Sequence, residues 1–188
     1  TFISYAAGED KMLLEFTNPE ERGQKILRLE DEIYLYFPEA EEVIHLQGSA
    51  LKESVMGSDF SYEDMTGEGN ILDQYQVTLL GEEMIEGRKH YHLELEAKKR
   101  GLAYPKQEVW VDAEYWVMTR AKSYSLSGRL LKEMELGDIR QVAGKYVPHY
   151  IIMRDAMKKK SSTEMRIEAI DLQADLPPDI FSLEELTW

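Results

Sequence analysis

Two histidines, His90 and His92, lie two residues apart in a segment where polar and apolar residues alternate. In a β-strand this spacing places both imidazoles on one face, where they can offer two nitrogen ligands to one metal ion. A metal site needs a third protein ligand, and the sequence identifies none. His45 and His149 are isolated. We therefore predict no metal and no cofactor, and we interpret the pair as part of a solvated strand face.

Three acidic residues, Asp59, Glu63 and Asp64, lie within six positions of each other. Paired carboxylates can catalyse hydrolysis by acid–base chemistry if they flank a cleft. Acidic residues at a helix start also cap its free N–H groups and favour the helix dipole, and this structural interpretation is the simpler one. The sequence has no cysteine, no serine nucleophile elbow, no glycine-rich phosphate loop and no His-Glu-x-x-His motif. We therefore predict that the protein is not an enzyme.

The composition favours a globular protein that does not bind nucleic acid. The 188 residues include 36 acidic and 22 basic side chains, a formal net charge of -14. Nucleic-acid binding needs a basic face, whereas seven of the basic residues cluster only in two short stretches, Lys98–Arg100 and Arg154 with Lys158–Lys160. The absence of cysteine fits an oxidising compartment, and the start at Thr1 suggests a processed or trimmed chain, so we expect any signal peptide to lie outside it. We expect a monomer.

Alternating apolar residues predict an antiparallel sheet. Met12, Leu14 and Phe16 share one strand face, and residues 90–97 and 164–169 alternate in the same way. From about residue 76 to 172, turn signals recur every 11 to 16 residues, which leaves no room for crossover helices. We therefore predict an antiparallel meander there. No linker divides the chain, so we predict a single domain over residues 1–188.

Three segments carry helix signals. In residues 49–56, Leu51 and Val55 lie four positions apart on one helical face. The stretch Ser61–Asp64 resembles a capping box, and residues 182–185 repeat that signal after two prolines.

The chain is rich in aromatic residues and methionine, with 11 Tyr, 5 Phe, 3 Trp and 9 Met. Core packing is the default explanation for such residues. They would also suit an apolar pocket for a flexible ligand, since methionine and aromatic side chains adapt to irregular shapes. Composition leaves both interpretations open.

A succession of motifs covers nearly the whole chain and resembles the outer-membrane lipoprotein-sorting protein family, the relatives of LolA-type periplasmic carriers. The most specific motif is Gly57–Asp64, Gly-Ser-Asp-Phe-Ser-Tyr-Glu-Asp. The other matching motifs are Phe16–Pro19, Gly23–Arg28, Tyr34–Pro38, Leu80–Glu83, Gly87-Arg88, Tyr104–Lys106, Trp110–Asp112, Ser127–Lys132 and Leu176–Phe181. Family members usually begin with a helix and a further strand before the position of Thr1, so we expect this chain to lack that element.

The resemblance implies a mainly β (α+β) fold, an incomplete antiparallel β-barrel with short helices forming a lid over an apolar concave face. It implies a periplasmic carrier that binds a lipid or lipoprotein acyl chains, with a possible inner-membrane transporter as partner and transient membrane contact. The residues expected to form the apolar underside of the lid are Leu51, Val55, Met56 and Phe60. Those expected to position the lid are Gly57, Asp59 and Asp64. The expected cavity walls are Tyr34, Tyr36, Tyr91, Leu93 and Leu95, or the alternate strand face if the inward parity differs by one residue.

A second function stays open because the same fold resembles the sensor domain of a periplasmic envelope-stress regulator. That resemblance implies a sensor or scaffold module that binds a protein partner. It predicts a flat or filled concave face in place of a ligand cavity.

Overall fold

The computed structural model describes residues 1–67 and 69–187, which are mainly β-strand. Contacts along the chain divide it into two compact units. The first unit comprises residues 1–55, 61–70 and 175–188, and the second comprises residues 56–60 and 71–174. That all 188 residues form a single domain stays a prediction.

The first unit contains a five-stranded antiparallel sheet with the strand order β1-β2-β3-β4-β5. Its strands are β1 (Phe2–Ala7), β2 (Lys11–Phe16), β3 (Lys25–Leu29), β4 (Glu32–Phe37) and β5 (Glu42–Leu46).

Both faces of this first sheet are covered, which explains why residues 33–37 of β4 are all apolar or aromatic. On one face, Leu14 and Phe16 pack with Ile33 and Leu35, as their alternation predicts. On the other face, Leu27 packs against residues of the C-terminal segment, including Leu186 of helix α3 (Leu183–Leu186). Ser182 caps that helix by accepting a hydrogen bond from the Glu185 N–H, which confirms the predicted helix start.

The segment expected to form the lid is irregular. It contains two short 3-10 turns, Gly48–Lys52 and Val55–Gly57, in place of the continuous helix predicted over residues 49–56. A helix cannot continue through this segment because Met56, at φ +50°, lies in the left-handed region. Helix α1 (Tyr62–Thr66) follows.

The predicted capping box at the start of α1 is confirmed. The Ser61 hydroxyl accepts a hydrogen bond from the Asp64 N–H at 3.1 Å, and the Asp64 carboxylate accepts one from the Ser61 N–H at 2.8 Å. Gly67, at φ +81°, ends the helix.

The second unit begins its regular structure with helix α2 (Ile71–Gln74) and continues as a seven-stranded antiparallel meander, which confirms the predicted topology. Among the described residues the first and last strands of neither sheet pair with each other, so both sheets are open. The strands of the second sheet are β6 (Tyr75–Ile85), β7 (Arg88–Ala97), β8 (Lys106–Asp112), β9 (Met118–Tyr124), β10 (Leu130–Val142), β11 (Lys145–Asp155) and β12 (Thr163–Arg166).

The fold class is therefore mainly β with a few short helices, as predicted. None of the helices in the described part of the chain has the length and apolarity needed to cross a membrane.

Candidate functional site

One face of the second sheet is apolar across consecutive strands. Leu93 on β7 lies opposite Val109 on β8, which lies opposite Ala121 on β9. The row continues through Met134 on β10 and Met153 on β11. Tyr75 and Leu95 belong to the same cluster as Leu93, Val109 and Ala121. We call this surface the apolar face; it comprises Tyr75, Val77, Leu93, Leu95, Val109, Met118, Ala121, Met134 and Met153.

The opposite face of the same sheet carries ion pairs. Lys106 lies 2.7 Å from the Glu94 carboxylate, and Lys122 lies 3.6 Å from that of Glu133. Because successive side chains of a strand alternate between faces, one sheet separates an apolar surface from a charged one.

A polar row borders the apolar face towards the start of β8 and the end of β9. Leu95 lies opposite Gln107, which lies opposite Ser123 on β9, followed by Lys132 and Asp155 on the next two strands. These side chains bond to one another and to neighbours. The Gln107 amide donates to the Tyr75 hydroxyl at 3.1 Å, the Tyr75 hydroxyl donates to the Tyr104 carbonyl at 3.0 Å, and the Lys132 ammonium lies 3.6 Å from the Asp155 carboxylate.

Asp59 fastens the loop of residues 56–60 to this row. Its side chain is 1% exposed. One carboxylate oxygen accepts hydrogen bonds from the hydroxyls of Ser161 and Thr163, each at 2.8 Å, and the other accepts one from the Asp155 N–H at 3.1 Å. The Lys132 ammonium also donates to the Asp59 carbonyl. These contacts join the loop to the turn between β11 and β12.

The same contacts set the charge state of Asp59. Burial raises the pKa of this carboxyl, but the hydrogen bonds from Ser161, Thr163 and the Asp155 N–H favour the ionised form and hold the pKa below its usual value. Asp59 takes no part in the capping box of α1, which Ser61 and Asp64 form, and its role in positioning the lid stays a prediction. The carboxylate of Asp59 instead bonds to Asp155, Ser161 and Thr163, which lie about 100 positions later in the chain. The sequence pattern did not indicate these contacts.

The predicted cavity residues of the first unit lie on two different faces of its sheet. Leu51 and Val55 pack on the face that carries Leu14 and Leu35. Tyr34 and Tyr36 lie on the opposite face, in the cluster of Leu13 and Leu27. The two tyrosines therefore do not share a surface with Leu51 and Val55, and the alternate residues Ile33 and Leu35 do.

The remaining predicted residues belong to the second unit. Leu93 and Leu95 lie on the apolar face, and Tyr91 stacks on Trp116 with ring centroids 5.8 Å apart. Phe60 is buried, whereas Met56 is exposed. Gly57 adopts φ +70°, a conformation that a residue with a side chain reaches only with strain.

The two histidines have different partners. His92 stacks on Trp110 and lies 3.1 Å from the Glu108 carboxylate. His90 is only 3% exposed, which corrects the prediction of a solvated pair, and its Nδ1 bonds to the Arg88 carbonyl at 3.0 Å. Within residues 1–67 and 69–187 no three His, Asp or Glu side chains are placed to hold a metal ion.

A protein-family model and several solved structures resemble this chain. A family model described as an uncharacterized protein family matches residues 8–188. The chain belongs to this family. No curated protein matches the sequence.

Three solved structures share the fold over nearly the whole chain. A structure described as an outer membrane lipoprotein-sorting protein domain from Vibrio parahaemolyticus is 24% identical with a TM-score of 0.87, and the match covers 98% of this chain and 81% of the other. A DUF1329 family protein from Desulfovibrio piger is 25% identical with a TM-score of 0.88, covering 97% and 81%. A LolA superfamily protein from Nitrosomonas europaea is 27% identical with a TM-score of 0.75, covering 98% and 81%. The chain therefore has the fold of outer membrane lipoprotein-sorting and LolA superfamily proteins.

Proposed function

We propose that this protein is a periplasmic carrier that binds a lipid, or the acyl chains of a lipoprotein, in an apolar cavity and transfers them towards the outer membrane. The observation that carries the proposal is the apolar face, where side chains from five consecutive strands form one apolar surface. The fold shared with a lipoprotein-sorting protein domain and a LolA superfamily protein supports it.

The physical chemistry of such a carrier requires reversible binding. Each buried methylene contributes about 0.8 kcal/mol, so ten methylenes contribute about 8 kcal/mol before costs. Lost motion and side-chain ordering offset much of that gain, which leaves an affinity suited to handover. The chemistry needs no catalytic group, and an inner-membrane transporter would supply the cargo.

The proposed ligand-contacting residues follow from the placement of the side chains. In the second unit they are Tyr91, Leu93, Leu95, Met56 and Phe60. In the first unit they are Leu51 and Val55, with Ile33 and Leu35 taking the place of Tyr34 and Tyr36. Loop 56–60, fastened by Asp59, forms part of the proposed lid.

A pair of variants on opposite faces of β7 and β9 tests this assignment. Leu93→Gln changes the polarity of the apolar face at nearly constant side-chain size, and Lys122→Gln is its control on the charged face. We expect Leu93→Gln to weaken binding of a fluorescent acyl-chain probe about tenfold, because a polar group replaces about 1.5 kcal/mol of apolar contact. Lys122→Gln should bind like wild type. Equal affinities for all three proteins, each with an unchanged melting temperature, would contradict the assignment.

A protein-binding module is the second candidate function. The edge strand β6 favours it, because the strand is unpaired on one side among the described residues and exposes Leu79, Leu80 and Met84. A stoichiometric protein recovered with the carrier from envelope extract, without co-purified lipid, would support this function over transport.

A further inference from the structure

The turns of the second sheet fall into two groups at opposite ends. Turns 98–105, 125–129 and 156–162 connect β7 to β8, β9 to β10 and β11 to β12. In a meander of consecutive antiparallel strands these three turns lie at one end of the sheet. Turns 86–87, 113–117 and 143–144 lie at the other end.

The turns at the two ends differ in charge. The first three turns contain seven basic residues and no acidic residue, although the whole chain has 36 acidic and 22 basic side chains. The other three turns contain Glu86 and Glu114 and no basic residue. The seven basic residues define what we call the basic end: Lys98, Lys99, Arg100, Arg129, Lys158, Lys159 and Lys160.

Most of these cations are available to an external partner. Lys99, Arg100, Arg129, Lys159 and Lys160 are all exposed. The other two bond within the unit, since the Lys98 ammonium donates to the Leu72 carbonyl and the Lys158 ammonium to the Ser58 carbonyl. The basic stretches that are far apart in the sequence therefore meet on one surface of the fold.

Two apolar side chains protrude between the cations. Leu126, in turn 125–129, is 92% exposed, and Met157, in turn 156–162, is 54% exposed. Adjacent strands are about 4.8 Å apart, so the three turns are spaced at intervals of about 10 Å and span about 20 Å. An apolar tip flanked by lysine and arginine is typical of segments that enter the headgroup region of a bilayer.

We infer that the basic end docks the protein on a membrane surface that contains anionic phospholipids. The cations would contact the lipid phosphates while Leu126 and Met157 enter the interface. A nucleic acid is a poorer match, because exposed aliphatic tips have no counterpart on a phosphate backbone. The remaining acidic surface would be repelled by the same membrane, so that the protein docks in one orientation. This docking goes beyond the proposed function and holds or fails whether or not acyl chains bind in a cavity.

Vesicle co-sedimentation at low and high salt tests the inference. The full chain is mixed with vesicles of phosphatidylcholine alone or of phosphatidylcholine with about 30% phosphatidylglycerol, which makes the vesicle surface anionic. We expect binding only to the anionic vesicles, and loss of that binding as salt screens the charges. Failure of the wild-type protein to bind anionic vesicles at low salt would overturn the inference.

Two double charge reversals with equal net charge separate local docking from overall repulsion. Lys159→Glu with Lys160→Glu changes the basic end, and Arg140→Glu with Lys145→Glu makes the same change near the opposite end of the sheet. Each lysine near an anionic surface strengthens partitioning by a factor of about five, so we expect the first variant to lose at least about 25-fold in partitioning and the second to lose much less. Equal losses in the two variants, with unchanged circular dichroism, would contradict a localised site.

The apolar tip provides an independent test. Leu126→Ser should weaken partitioning several-fold without altering its salt dependence, because it removes only the apolar contact. Leu126→Trp should shift its fluorescence to shorter wavelength on adding anionic vesicles. An unshifted spectrum under conditions where the protein sediments would contradict insertion of this turn.

Discussion

Replacing Asp59 by alanine is expected to lower the free energy of unfolding by about 2–4 kcal/mol. The carboxylate is buried and accepts three hydrogen bonds, from the hydroxyls of Ser161 and Thr163 and from the Asp155 N–H. Removing it leaves those partly buried donors without their acceptor, and each such group is costly. Urea unfolding followed by circular dichroism would measure the loss.

A control variant at Asp64 separates the role of the buried Asp59 carboxylate from the general effect of removing an acidic side chain. Asp64→Ala makes the same chemical change in the capping box of α1 and should cost only about 0.5–1 kcal/mol. Hydrogen exchange adds a local readout, since loop 56–60 should lose protection in Asp59→Ala and keep it in Asp64→Ala. Equal destabilisation by the two variants would contradict the assigned role of Asp59.

Replacing Asp112 by asparagine should destabilise the protein by about 2–3 kcal/mol at neutral pH. This carboxylate is 1% exposed, pairs with Arg88 through bonds of 2.5 and 2.9 Å, and accepts hydrogen bonds from the N–H groups of Glu114 and Tyr115. Asparagine keeps the shape but removes the charge that faces the guanidinium.

The effect should depend on pH in a defined direction. The hydrogen bonds from Arg88 hold the pKa of Asp112 well below its usual value of 3.8. A carboxyl whose pKa is lower in the folded than in the unfolded state makes its full contribution to stability above the pKa of the unfolded state. That contribution is lost as the pH falls towards the pKa of the folded state. Between about pH 5 and pH 2, a range that includes the usual carboxyl pKa, the free energy of unfolding should therefore fall more in wild type than in Asp112→Asn.

An exposed pair provides the matched control for Asp112. Asp138 pairs with Arg140 in the same chemical arrangement, but both side chains are about half exposed. Asp138→Asn should leave the unfolding free energy close to wild type, because exposed ion pairs contribute little. A pH-independent difference between wild type and Asp112→Asn would contradict the assigned charge effect.

The sequence predicted the second sheet well because its signals are local. Alternation in residues 90–97 and turns at regular intervals define each hairpin without any long-range contact. The capping box at Ser61 and Asp64 was predictable for the same reason, since its two partners lie three residues apart.

The first sheet was less predictable where both faces are buried. In β4, Ile33, Tyr34, Leu35 and Tyr36 are all apolar or aromatic, so the sequence does not distinguish the face that carries Leu51 and Val55 from the face that carries Leu186. The sequence therefore left open whether Tyr34 and Tyr36 or the alternate residues Ile33 and Leu35 share a surface with Leu51 and Val55.

The polar row was missed although a signal was present. Gln107, Ser123 and Lys132 occupy strand positions whose parity matches the apolar Val109, Ala121 and Met134. A polar residue at an inward position indicates a buried hydrogen-bond network. Its partners Ser161 and Asp59 are about 100 residues apart, so the network itself could be identified only from the fold.

Native mass spectrometry of protein purified from cells without detergent tests the carrier proposal most directly. Solvent extraction would identify whatever is bound, and the same measurement would be repeated after offering phospholipid and lipopeptide. We predict added masses that correspond to lipid or acylated peptide, released by the solvent. A clean mass of the bare chain under both conditions would contradict transport of acyl chains and favour a protein partner.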